Sequence, residues 1–176
     1  MPPSRILVIA NRTAAGPPLL QAVKERSHES EAIFHLVVPA EPEGLHRVVD
    51  PEVAGREAAG ARLRHALPLL SEAAAQEVTG QVGDADPLAA ACDALYQGGF
   101  DEIIISTLPW RVSRWLRVDL PSKLRALGVP VRHVEGSPAR TAGQQLAFSV
   151  RCLPTGLTDR GVATPRPRDA GPAAAP

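Results

Sequence analysis

The stretch "DEIIISTLPWRVSRWLR" (residues 101–117) places three consecutive isoleucines directly before a basic and aromatic loop. A continuous apolar run of this length is typical of a strand that is buried on both faces. Three arginines and both of the chain's tryptophans lie within residues 106–117. The stretch therefore predicts a central strand whose carboxyl end opens into a loop with bulky and positively charged side chains.

Four other short runs have the same strand character, and helical patterns separate all five. The other runs are "RILVIA" (5–10), "AIFHLVV" (32–38), "VTGQVG" (78–83) and "VPVRHV" (129–134). Strands that alternate with helices form βαβ units, which build a parallel sheet covered by helices on both faces. The sequence therefore predicts an α/β domain with an open five-stranded parallel sheet over residues 4–134.

Four helical segments are predicted between the strands, beginning at Pro17, at about residue 52, at Pro87 and at about Asp119. Pro68 lies inside the second, where a proline removes a backbone donor and is expected to kink or split the helix. Asp86 is the predicted N-cap of the third segment and Gly98 its predicted C-cap. Cys92 is expected on the inner side of that helix as a small core residue.

Composition excludes several classes of function. The formal net charge of the 176 residues is zero, so there is no global attraction to nucleic acid or to an anionic membrane. No apolar run reaches the roughly 18 residues of a membrane-spanning helix, and the first ten residues lack a secretion signal. Cys92 and Cys152 are too few for a disulfide framework. We therefore expect a cytoplasmic protein with no nucleic acid or membrane partner.

Residues 135–176 differ from the rest because they are rich in Pro, Gly and Ala. Such a segment has little apolar area to bury and is expected to be mostly disordered. The exception is "QQLAFSVRCL" (144–153), where apolar and small or polar residues alternate as in a half-buried strand. A short helix fits this segment almost as well.

The order of elements resembles the universal stress protein family over about residues 4–134. The similar segments are "ILVIANRT" (6–13), "GDADPLAAACDAL" (83–95) and "FDEIIISTLP" (100–109). The resemblance implies the strand order 3-2-1-4-5, a role in stress response and a homodimer that forms through the last strand. It also implies ATP or another adenine nucleotide as the ligand.

The sequence departs from the nucleotide-binding members of that family at two places. Asn11 stands where those members usually have an aspartate. The fourth strand is followed by a loop without the family's glycine-rich motif, since no glycine occurs between Gly99 and Gly128. Backbone amides crowd a phosphate chain most easily where glycines allow it. The departures therefore argue against ATP binding in the family's usual way.

Ligands of open parallel sheets bind beyond the carboxyl ends of the strands, where the strand order reverses. The loops to consider begin at Asn11, Pro39, Gly83 and Ser106. The candidate nucleotide- or anion-binding residues are Asn11, Arg12, Thr13, Gly83, Asp84, Ser106, Thr107, Arg111, Ser113, Arg114 and Arg117. The arginines recur every three residues and suit phosphate because the guanidinium fork binds it bidentately. In the alternative interpretation Trp110 and Trp115 plug the top of the sheet or a dimer contact, and the arginines form a solvated rim.

Three functional hypotheses remain open. The first is a non-enzymatic regulatory module of the universal stress type with at most a weak nucleotide or phosphate site. The second is a hydrolase or transferase that uses the loop 111–117 on a phosphorylated substrate. The third is a ligand-free dimeric scaffold. No residue is assigned a catalytic or metal-binding role, because the known nucleophile, phosphate-loop and metal-ligand motifs are absent from the sequence.

Overall fold

A computed structural model describes residues 2–42 and 51–136. Of the predicted tail 135–176, residues 135 and 136 are described, and Glu135 ends the last strand. The rest of the tail, with its segment 144–153, lies outside the described residues. No helix in the described part is both long and apolar enough to cross a membrane.

Five strands form one sheet in which every neighbouring pair is parallel. They are β1 (Ser4–Ala10), β2 (Ala32–Pro39), β3 (Thr79–Gly83), β4 (Glu102–Thr107) and β5 (Val131–Glu135). Their spatial order is β3-β2-β1-β4-β5. The predicted α/β class, the parallel sheet and the strand order are all confirmed.

The helices connect the strands and cover the sheet. They are α1 (Pro17–Glu29), α2 (Pro51–Ala74), α3 (Pro87–Gly98), α4 (Arg114–Arg117) and α5 (Leu120–Arg125). The predicted last segment is thus shorter than expected, and a one-turn helix precedes it. Asp119 separates the two because its backbone is left-handed, with φ of 53°.

The sheet is buried on both faces, as its apolar runs predict. Along β1 the side chains alternate between two cores, with Ile6 and Val8 in one and Leu7 and Ile9 in the other. The first core is closed by α1 and α2, and the second by α3, α5 and Trp115. The central strands therefore have no solvent-facing side, and polar side chains are confined to their ends.

The structure bears on two local predictions about helices. Of the kink or split predicted at Pro68, the split does not occur, since helix α2 continues through it and residues before and after it, Ala66 and Leu70, are fully buried. We attribute this to packing, since a buried face on both sides outweighs one lost backbone hydrogen bond. Helix α3 continues through Gly98. Its C-cap is Gly99, which has φ of 52° and donates its N–H to the carbonyl oxygen of Leu95 at 3.2 Å.

Cys92 is not a core residue, because its side chain is exposed. The buried face of α3 is formed by Pro87, Ala90, Ala91 and Ala94. Small alanines let this helix lie close to the sheet, so the inward direction falls on them and Cys92 lies on the outer side. The predicted N-cap is confirmed: the Asp86 carboxylate accepts a hydrogen bond from the backbone N–H of Leu88 at 2.9 Å.

Candidate functional site

The carboxyl ends of β1 and β4 lie side by side at the centre of the sheet. Ala10 is the register partner of Ser106, so the turn after β1 and the loop after β4 leave the sheet together. The chain passes from β1 to β2 on one side of this point, whereas β4 and β5 lie on the other. This is the switch point at which open α/β sheets bind ligands.

A cavity of about 250 Å³ opens at this switch point. Its described lining residues are Asn11, Arg12, Glu41, Pro42, Ser106, Thr107, Leu108, Val112, Ser113, Arg114 and Trp115. The structure thus brings together predicted site residues from the first turn and from the fourth-strand loop. Glu41 adds a carboxylate from the loop after β2.

Thr13 and Ser106 join the two loops. The Thr13 hydroxyl is buried and donates to the backbone carbonyl oxygen of Ser106 at 3.0 Å. Ser106 itself is only 1% exposed, and its Oγ has no hydrogen-bond partner among the described residues. A buried hydroxyl normally finds a partner, because leaving one unsatisfied costs about 1–3 kcal/mol. Ser106, a lining residue of the cavity, therefore carries a buried hydroxyl without a described partner.

Asn11, which lines the cavity, is the centre of a polar network. Its Oδ1 accepts a hydrogen bond from Nη1 of Arg62 on α2 at 2.7 Å. Its Nδ2 donates to Oε2 of Glu41 at 2.9 Å. The acceptor side of the amide is thus fixed by a cation and the donor side by a carboxylate. This determines which way the amide faces and places the Glu41 carboxylate beside the cavity.

Ser113 and α4 decide which side chains of the basic loop reach the cavity. The Ser113 hydroxyl accepts from the backbone N–H of Leu116 at 3.2 Å and caps the helix, as predicted. The helix then turns Trp115 into the second core, where it is 5% exposed, and leaves the Arg114 side chain exposed at the cavity. Trp110 precedes this turn and is 63% exposed. The interpretation in which both tryptophans plug the top of the sheet is therefore wrong for Trp110, whereas its alternative, a dimer contact, stays a prediction.

The other two arginines lie outside the lining of the cavity. Nη2 of Arg117 donates to the backbone carbonyl oxygen of Arg111 at 3.0 Å, and both residues are exposed. The regular spacing of three residues gave no reason to distinguish Arg111 and Arg117 from Arg114. The structure distinguishes Arg111, because this residue precedes α4. The loop therefore presents one cation to the cavity and two to the surrounding surface.

Gly83 and Asp84 also lie away from the cavity. A Cβ atom on Gly83 would lie 2.6 Å from Cβ of Ala90 and 2.8 Å from Cγ1 of Val37, so this glycine lets α3 approach the sheet. Asp84 is exposed, and its Oδ1 accepts from the backbone N–H of Asp86 at 2.8 Å in the turn before α3. Both residues have structural contacts that explain their presence.

Thr107 contacts a histidine on the neighbouring strand. Its Oγ1 lies 2.8 Å from Nε2 of His133. Burial lowers the pKa of His133, Glu135 acts in the opposite direction, and Arg125 adds to the lowering. The imidazole is therefore neutral at pH 7, since its ordinary pKa is already about 6.5. A neutral imidazole beside a buried hydroxyl can accept its proton or hold it in one orientation.

Sequence reasoning missed Glu41 as a site residue. The loop that begins at Pro39 was expected at this edge of the sheet, but nothing in "VVPAEPEG" (37–44) distinguishes Glu41 from its neighbour Glu43. The decisive signal is the contact with Asn11, thirty positions away. Among residues 2–42 and 51–136, no group of three or more metal-ligating side chains is placed to hold a metal ion.

No protein-family model matches the sequence, and no curated protein matches it. Solved structures do match. A universal stress protein in complex with cAMP is 18% identical, with 76% of this chain and 98% of that chain covered and a TM-score of 0.53. This chain has the universal stress protein fold.

Two further structures with the universal stress protein fold come from Archaeoglobus fulgidus. One is 14% identical, with 75% of this chain and 93% of that chain covered and a TM-score of 0.54. The other, in complex with dAMP, is 14% identical, with 76% and 98% covered and a TM-score of 0.51. At these identities the likeness establishes the universal stress protein fold, which agrees with the resemblance found in the sequence.

Replacing each tryptophan by alanine separates the buried ring from the exposed one. We expect Trp115→Ala to lower the free energy of unfolding by about 3–5 kcal/mol, because a large side chain is removed from the second core. Trp110→Ala is the matched control and should change it by less than about 0.5 kcal/mol, because an exposed ring leaves no cavity. Urea denaturation measures both. Equal losses in the two variants would contradict the assignment of Trp115 as the core residue.

Proposed function

We propose that this protein is a non-enzymatic regulatory module of the universal stress protein family that binds an adenine nucleotide at the switch-point cavity. The observation that carries the proposal is that Arg114 and Ser106 line one cavity, and that the buried Ser106 hydroxyl has no hydrogen-bond partner among the described residues. A hydroxyl and a guanidinium are donors that suit phosphate oxygens. The residues present therefore fit the phosphate group of such a ligand.

The cavity also has the composition of a nucleotide site. Leu108, Val112 and Trp115 supply apolar surface, whereas Asn11 and Ser106 supply hydrogen-bonding groups. Small-molecule sites usually combine a mostly apolar lining with a few polar groups that fix orientation. Proteins of the same fold that were solved with cAMP and dAMP support an adenine nucleotide as the ligand. We also propose a role in stress response, from the same resemblance, and a cytoplasmic location, from the composition of the sequence.

The proposal is tested by reversing the charge of Arg114. We expect Arg114→Glu to weaken AMP binding by at least about 10- to 150-fold, since losing one charge-assisted hydrogen bond costs about 1.5–3 kcal/mol. Titration calorimetry at low salt with AMP, ADP and ATP provides the measurement. Low salt matters because Arg114 is exposed and its charge is screened.

Arg111→Glu is the matched control, because it makes the same charge change three residues away and outside the lining of the cavity. It should leave binding within about threefold of the wild type, a change of less than 1 kcal/mol. Equal losses in the two variants would show that the effect comes from overall charge. Absence of binding by the wild type at millimolar nucleotide would reject the proposal and favour a ligand-free scaffold.

A hydrolase or transferase is the second candidate function, and the pair Thr107–His133 favours it. A hydroxyl hydrogen-bonded to a neutral imidazole is the arrangement in which a nucleophile loses its proton. The test is release of inorganic phosphate from ATP in the presence of Mg²⁺. We expect no release above the buffer rate. Phosphate release that Thr107→Val and His133→Gln both abolish would establish the enzyme instead.

We also propose that the protein forms a homodimer through β5. This strand is one of the two edges of the sheet, and it is only partly buried along its length. An edge strand has unpaired backbone groups that a second copy can cover. We expect light scattering at tens of micromolar, where ordinary dimer affinities are saturated, to give twice the chain mass of 18.6 kDa. A particle of the single-chain mass would contradict the dimer.

A further inference from the structure

The carboxylate of Glu41 is the feature that the proposed function has not used. It lies in the wall of the cavity that holds Arg114 and Ser106, and it is partly buried. One of its oxygens accepts from Asn11, but a carboxylate has about four acceptor positions. Glu41 therefore keeps acceptor capacity for a ligand, and it brings a negative charge to a site that is proposed to bind an anion.

Asn11 holds this carboxylate in place. Its amide cannot rotate without placing Oδ1 against Glu41 and Nδ2 against Arg62, where both hydrogen bonds would be lost. The position of Glu41 is therefore determined by a buried amide and by a cation on α2. A carboxylate fixed in this way cannot swing out of the cavity without breaking its contact with Asn11.

Glu41 also lies between two cavities. A second cavity of about 420 Å³ shares four lining residues with the first, namely Glu41, Pro42, Arg114 and Trp115. Its other charged lining residues in the described part of the chain are Asp86 and Lys123. A phosphate chain that extends from Arg114 into either cavity stays beside Glu41. In the second cavity it also meets Asp86 and Lys123, whose charges are opposite.

From these contacts we infer that Glu41 makes the site select a nucleoside monophosphate over the corresponding triphosphate, an inference that rests on the proposed nucleotide site. One phosphate group is matched by Arg114, and Arg12 is the other cationic residue in the described lining of the first cavity. Further phosphate groups add negative charge near a fixed carboxylate, and like charges brought together inside an interface are costly. The carboxylate is compatible with a monophosphate because its free acceptor positions can bind ribose hydroxyl or amine groups.

One further observation agrees with a ligand that has few phosphates. The loop after β4 contains no glycine between Gly99 and Gly128, so it has no run of flexible backbone to crowd amides around a phosphate chain. This observation does not involve Glu41.

The experiment compares the affinities of AMP, ADP and ATP for the wild type and for Glu41→Gln, by titration calorimetry at low salt without divalent cations. The wild type should bind AMP more tightly than ATP by about tenfold, which corresponds to 1.4 kcal/mol of repulsion in a partly exposed site. Glu41→Gln should raise ATP affinity by about tenfold and change AMP affinity less, because it removes the charge. Glutamine keeps an oxygen for the hydrogen bond from Asn11, so the fold should be retained.

Glu57→Gln is the matched control, because it makes the same charge change at an exposed position on α2 outside both cavities. It should leave the order of the three affinities unchanged.

Wild-type binding of ATP that equals or exceeds that of AMP would overturn this inference and leave the nucleotide site intact. An equal effect of both substitutions would overturn it too, by showing only a net-charge effect. No binding of any of the three ligands would reject the proposed function as well. If a variant does not fold, the order of the wild-type affinities for AMP, ADP and ATP still tests the inference, because ATP binding as tight as AMP binding overturns it.

Discussion

The fold depends on one constraint, which is that the central strands β1 and β4 must be covered on both faces. Ile6 to Ile9 and Ile103 to Ile105 are fully buried, and successive side chains point to opposite sides of the sheet. A sheet with two apolar faces needs helices above and below it. Parallel strands joined by helices satisfy this need, and they also bring all the strands' carboxyl ends to one edge.

The polar site is a consequence of the same constraint. Apolar burial ends at Ala10 on β1 and at Ile105 on β4, which are followed by Asn11 and Ser106. Both of these polar residues are nonetheless buried. Buried polar groups normally have hydrogen-bond partners. Asn11 is hydrogen-bonded to Arg62 and Glu41, whereas the Ser106 hydroxyl has no partner among the described residues. The unsatisfied hydroxyl belongs to a residue that lines the switch-point cavity.

The parallel sheet could be predicted from the sequence, because a continuous apolar run indicates a strand buried on both faces and is visible without knowledge of distant residues. The sequence was insufficient within the loop after β4. Nothing in it distinguishes Arg111 from Arg114, or Trp110 from Trp115. In the structure α4 is capped by Ser113. As a result, Arg114 lies at the cavity and Trp115 in the core, whereas Arg111 and Trp110 do not. Glu41 could not be found, because its role depends on contacts among residues far apart in the sequence. Such pairings have no local pattern.

The two departures from the nucleotide-binding pattern are connected through Glu41. An aspartate at position 11 would place a second carboxylate where Nδ2 of Asn11 now donates to Glu41 at 2.9 Å. Two carboxylates at that distance cannot both stay ionised without a large penalty. The amide is therefore the side chain that allows an acidic residue to come from the loop after β2 while Arg62 binds from α2. A glycine loop that crowds phosphates would work against that carboxylate, whereas in the described lining the carboxylate stands beside two cationic residues, Arg12 and Arg114. Asn11, Glu41 and the glycine-free loop thus form one consistent electrostatic arrangement, which in the proposed nucleotide site favours a ligand with few phosphates.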